Sequence, residues 1–130
     1  MKSGDDIRRL LEESDRLWNS GDRAGFLALW NEAVPGDTTL EMPVGTEPRQ
    51  GFDACRRAVW DEFQPTTRRH TKHLIVCGNE AAVLVENVIS APSGTSSVLS
   101  IGTYRFTEDG SCFERGYVEF DGAAEATDDR

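Results

Sequence analysis

Near the start of the chain, apolar residues recur at helical spacing. Ile7, Leu10, Leu11, Leu17 and Trp18, with Ser14 among them, fall on one face of a helix over 5–19. Gly21 stops it, and Asp22 caps a second helix to about Asn31, with Phe26, Leu29 and Trp30 on one side. "VPGDT" (34–38) reads as a turn, and a short extended stretch over 38–42 runs into Pro43. After the loop "GTEPRQG", the spacing of Phe52, Cys55, Val59, Trp60 and Phe63 predicts a third helix, closed by Pro65. The period then changes to two. Runs rich in β-forming residues at 68–77, 80–91, 96–107 and 111–121 are separated by the turn signals "GN", "PSG" and "EDG".

Three helices followed by a meander of four strands, plus one short strand, predict an α+β fold with the helices on one face of a bent, mainly antiparallel sheet. The expected division is a single domain over 1–121 and a flexible acidic tail, "GAAEATDDR", over 122–130. Strand 96–107 is apolar on both parities, with Val98, Tyr104 and Phe106 on one side and Leu99 and Ile101 on the other. A sheet wet on one face alternates more cleanly, so the outer face is expected to be covered, by pairing of two copies into a homodimer.

Composition narrows the function. A net charge of −9 and a pI near 4.6 argue against nucleic acid, whose phosphates need clustered Lys and Arg. The one compact basic cluster, "RRHTK" (68–72), reads as a strand surface. No apolar run approaches the roughly 20 residues of a membrane span, and "MKSGDDIRRLLEE" has no signal-peptide core, so no membrane partner and a cytoplasmic location are expected. Cys55, Cys77 and Cys112 are odd in number and form no CxxC, so they read as small apolar residues. His70 and His73 are three apart on a strand and point to opposite faces, so no metal site is expected.

The order helix, "GD", helix, "LEMPVG…QG", helix, four strands, with "TYRFTEDG" opening the last hairpin, resembles the nuclear transport factor 2-like superfamily over roughly residues 7–121. Its relatives include ketosteroid isomerases, limonene epoxide hydrolases and SnoaL-like polyketide cyclases. The resemblance implies a cone of helices and curved sheet around an apolar cavity that holds a small hydrophobic molecule, without metal or organic cofactor. Two catalytic sets known in such proteins do not carry over. Met42, Ser14 and Gly102 stand where the isomerase has its base and its two oxyanion donors. Ile89, Asn87 and Tyr117 stand where the epoxide hydrolase has its Asp-Arg-Asp set, with Thr39 and Glu41 at the water-holding positions.

By the same alignment Arg115, Tyr117 and Glu119 face inward, roughly 6–7 Å apart in a polar row. Strand parity gives the opposite reading: Cys112, Val118 and Phe120 form the apolar set, which would bury those and solvate Arg115 and Glu119. Glu41 lies among apolar neighbours, and a carboxylate shielded from water has its pKa raised toward the range of a general acid or base. The expected catalytic set is therefore Glu41, with Tyr117 as oxyanion donor, Arg115 as a fixed charge and Glu119 as its orienter or a second acid. Asn87, His73, Trp60, Ser14 and Tyr104 are the expected substrate-binding residues. The expected activity is acid–base isomerisation, dehydration or cyclisation of a largely apolar substrate, of the kind found in secondary metabolism. The alternatives are epoxide opening by Glu41 and Glu119, and non-catalytic binding of a hydrophobic ligand.

Overall fold

The computed structural model describes residues 2–119, so the stretch expected to be a flexible tail lies outside the described residues. Helix α1 (Gly4–Ser20) begins where the Ser3 hydroxyl accepts from the Asp6 N–H, and it ends at Gly21, whose positive φ of 78° closes the last turn. Helix α2 (Arg23–Ala33) follows at once, capped by the Asp22 carboxylate on the Gly25 N–H. Strand β1 (Thr38–Glu41) and the two-residue β2 (Arg49–Gln50) come next. The third helix is not uniformly α-helical. It opens as a π turn over Asp53–Arg57 and tightens into α3 (Ala58–Phe63). Strands β3 (Thr67–Cys77), β4 (Glu80–Ala91), β5 (Gly94–Phe106) and β6 (Cys112–Val118) complete the chain.

One six-stranded sheet runs in the order β2-β1-β6-β5-β4-β3, antiparallel throughout except for the parallel pair β1 and β6. The long hairpins follow the turn signals, with Ala91 opposite Gly94 across Pro92 and Ser93. Strand β2 falls inside the segment expected to be a loop, because two residues are too few to show a period. The parallel pairing is set by close backbone approach: the Gly36 N–H donates to the Gly110 carbonyl at 2.8 Å, and a Cβ on Gly36 would meet the Ser111 hydroxyl at 2.7 Å. That contact sets Leu40 against Glu114 and Glu41 against Arg115.

The helices cover the concave face, and the core lies between. Ile7, Leu10 and Leu11 of α1 join Val83 and Val85 of β4 and Phe106 of β5. Asn19 ties α1 to β3 through both sides of its amide, donating to the Arg69 carbonyl and accepting from the Arg69 N–H. Among the described residues no helix is long and apolar enough to cross a membrane.

Cys55 and Cys112 are buried and Cys77 is exposed. Burial pushes the Cys55 thiol up and drives that of Cys112 up to about 12. At neutral pH a thiol-alkylating reagent is expected to label only Cys77 in the folded protein, and all three cysteines after unfolding, as read by mass spectrometry.

Candidate functional site

Between the helices and the sheet lies a cavity of about 320 Å³. The inner face of the sheet is set by strand parity: even residues Val98, Ser100, Gly102 and Tyr104 on β5, even residues Glu114, Gly116 and Val118 on β6, and odd residues Val85, Asn87 and Ile89 on β4. Trp18, Phe26 and Trp30 from the helices close the other side. A β-bulge between Thr71 and His73 inverts the parity of β3, so Arg69 faces the cavity while Leu74 takes over the inward position further on.

Two charged side chains meet at this largely apolar wall. Arg56, from the π turn, donates through Nη1 to Glu114 Oε1 at 2.7 Å, and the two side chains are only 6% and 13% exposed. The Arg56 guanidinium lies 3.8 Å from the centre of the Trp30 ring, and Trp30 stacks in turn on Tyr104 at 6.1 Å. Burial opposes the Arg56 charge, but Glu114 together with the neighbouring Cys112 and Tyr104 leaves the proton affinity of the guanidinium raised. Two of its donors, Nε and Nη2, are buried with no hydrogen-bond partner among the described residues. Only Oε1 of Glu114 is engaged, and no hydrogen bond among the described residues reaches Oε2. Tyr104 is buried beside this pair, and a Cβ on Gly102 would lie 3.8 Å from its hydroxyl. Burial first, and the Glu114 charge second, push the Tyr104 phenol well above its ordinary range, so it remains a hydrogen-bond donor at any physiological pH. A carboxylate with a free oxygen, a permanently protonated phenol and a cation thus meet in a mostly apolar space.

The expected catalytic residues lie elsewhere. Glu41, Arg115 and Tyr117 are on the outer face of the sheet and Glu119 is exposed just past the end of β6, which corrects the inward placement implied by the alignment. Parity decides it: Leu40 points inward and is 2% exposed, so Glu41 points out, and its register partner Arg115 follows. Glu41 accepts from the Gly45 N–H at 2.8 Å and from Arg115 Nε at 2.8 Å. These contacts, the backbone N–H first, hold its carboxyl below the usual carboxylate range. That is the reverse of the shift expected for a sheltered acid.

Of the expected binding residues, Asn87, Ser14 and Tyr104 line the cavity. Asn87 Nδ2 is committed to the Val98 carbonyl and the Ser100 hydroxyl, and the Ser14 hydroxyl accepts from Trp30 Nε1 at 2.9 Å. Trp60 packs against Trp18 and Phe26 at 5.2 and 4.9 Å and belongs to the core behind the wall rather than to the lining. His73 is exposed on the outer face, carried there by the bulge. Both expectations are corrected accordingly. Arg56, Glu114 and Arg69 were not anticipated, although two carried a signal. Arg56 follows Cys55 on the apolar face of its helix, and Glu114 shares the parity of Cys112 and Val118.

Helices on the concave side of a curved sheet, enclosing a cavity with a buried charge pair, define a cone-shaped domain of the nuclear transport factor 2-like type. More narrowly, the family model described as the SnoaL-like domain matches residues 7–115, and the chain belongs to that family. No curated protein sequence matches it. Among solved structures it is similar to one described as the epoxide hydrolase/cyclase-like enzyme SalBIII, in pyran ring formation in polyether salinomycin. The TM-score is 0.71 at 20% identity, covering 86% of this chain and 89% of that one. At that identity the likeness is one of fold.

Proposed function

We propose that the protein is a cofactor-independent enzyme that performs acid–base chemistry on a small, largely apolar molecule, with Glu114 as the proton-transferring group. The observation that carries this reading is the Glu114 carboxylate on the wall of an apolar cavity, steadied by Arg56 at one oxygen and free at the other. In an isomerisation, Oε2 takes a proton from the carbon next to a carbonyl, and the electron pair moves onto the carbonyl oxygen. Tyr104 donates a hydrogen bond to that oxyanion, and the proton returns from Glu114 at another carbon. The likeness to an epoxide hydrolase/cyclase-like enzyme favours a second reaction with the same groups. Glu114 takes the proton of an attacking hydroxyl, the new C–O bond forms as the epoxide C–O bond breaks, and the epoxide oxygen develops its charge against the Tyr104 hydroxyl. The proton held by Glu114 then passes to that alkoxide and restores the carboxylate.

The test is conversion of two probes by the purified protein, a β,γ-unsaturated cyclic ketone and a hydroxy-epoxide, followed by gas chromatography with mass detection. Turnover of either above the buffer rate is the expected result. Saturable binding of both with conversion of neither would replace this reading by that of a ligand-binding protein.

The same proposal includes a homodimer. Ile75, Leu99, Ile101 and Tyr117 stand exposed on the outer face, with Ile101 directly opposite Tyr117. Light scattering is expected to give twice the chain mass, and Ile101→Glu to give the single chain. A monomeric parent protein would remove the dimer without touching the cavity.

A further inference from the structure

The protein carries 23 Asp and Glu against 14 Lys and Arg, yet its cavity has the opposite sign. Among the described residues, the charged side chains on the cavity wall are Arg49, Arg56 and Arg69 against the single acid Glu114. The acids that accompany the other two arginines are set back from the wall. Glu62, which accepts from Arg49 at 3.0 Å, is half exposed on the exterior. Asp15 approaches Arg69 only to 3.7 Å, beyond hydrogen-bond reach, and accepts instead from the Thr71 hydroxyl.

Arg56 adds a second, independent observation. Its side chain is 94% buried by the 6% exposure that remains, and of its donors only Nη1 has a partner while Nε and Nη2 have none. Buried donors are nearly always satisfied in folded proteins, because an unmade hydrogen bond keeps the full cost of desolvation. The idle donors carry almost no accessible surface, so a ligand acceptor satisfies them once the guanidinium turns toward the cavity.

Resting on the reading of this cavity as a small-molecule site, we propose that its ligand is an apolar carboxylate, its anionic end seated toward Arg56 and Arg69 and its hydrocarbon part against Trp18, Phe26 and Val85. A guanidinium matches a carboxylate in charge and in planar geometry, which leaves the Tyr104 hydroxyl for the reacting oxygen. The remaining wall is apolar and holds the body of the ligand without competing for the charge.

Isothermal titration with cyclohexylacetate and its neutral isostere cyclohexylacetamide, on the full chain, tests this. The carboxylate is expected to bind at least about tenfold tighter than the amide, the difference expected of one charge-assisted contact. Arg69→Gln is expected to erase that advantage, since the two probes differ only at the end that meets the guanidinium. Because Arg56→Gln alone strands Glu114, the double variant Arg56→Gln/Glu114→Gln provides the second arm, with the same expected loss. Equal affinity of the two probes in the parent protein would overturn the carboxylate assignment and leave the small-molecule cavity intact. Failure of both to bind would overturn the cavity reading together with it. A carboxylate preference with no turnover of any probe would uphold the inference and overturn the enzyme.

Discussion

Arg56→Met is expected to cost about 3–5 kcal/mol of folding stability, the range for removing one partner of a buried ion pair. The side chain lost is one of the least exposed charged groups in the chain, and it leaves Glu114, itself 13% exposed, without its cation. The loss combines three effects: the 2.7 Å hydrogen bond, the stack on Trp30 at 3.8 Å, and above all the stranded carboxylate. The diagnostic comparison is the double variant Arg56→Met/Glu114→Leu. With both charges gone, no group is left desolvated and unpaired, and the apolar replacements suit neighbours such as Leu40 and Cys112. The double variant is therefore expected to recover most of the stability lost by the single one, or to exceed the parent. Urea denaturation at constant pH measures all three proteins, with the midpoint as readout. A double variant as unstable as the single one would mean that Arg56 acts through packing alone, and that the pair is not the electrostatic unit described here.

If the double variant is as stable as the parent, the pair is not needed for folding, and its presence at the cavity points to function. This bears on what could be read in advance. The fold was legible because it rests on period and punctuation: Ile7, Leu10, Leu11, Leu17 and Trp18 mark one helical face, Gly21 and Pro65 end helices, and three turn signals separate the strands. The site was not, for reasons of parity. On a strand, a shift of one residue exchanges the two faces, so aligning Arg115 and Tyr117 inward moved Glu114 out. The residues themselves favoured the other answer, since Cys112 and Val118 share Glu114's parity and an acid in an apolar register is the anomaly worth following. Glu41 misled for the same reason. Its apolar neighbours Leu40 and Met42 line the cavity, and alternation then forces Glu41 out to meet Arg115. His73 fell to the β-bulge, which has no signature in a run of polar strand residues, whereas Arg56 stood beside Cys55 on an apolar helical face and its charge drew attention away from that position.

Glu114→Gln is expected to lower kcat about 10²–10⁴-fold, the usual contribution of a positioned acid or base. Glutamine keeps the size of the side chain and can still accept from Arg56 Nη1; it lowers stability by leaving the buried Arg56 charge uncompensated, and the amide cannot take up a proton at the second oxygen's position. The loss should therefore appear in kcat, with KM for the same probe nearly unchanged. Glu41→Gln is the matched control. It removes a carboxylate that is bonded to Gly45 and Arg115 on the far side of the sheet, and it is expected to leave kcat within about twofold, because a surface ion pair contributes little and none of its atoms reaches the substrate space. Circular dichroism and the urea midpoint confirm that both variants are folded before rates are compared. The contrast between the two glutamates is sharper than either variant alone, since both are carboxylates paired with arginine on neighbouring strands and differ chiefly in which face they occupy. A large loss in Glu41→Gln with full activity in Glu114→Gln would move the chemistry to the outer face. It would also require the two-copy interface, rather than the cavity, to enclose the reacting molecule.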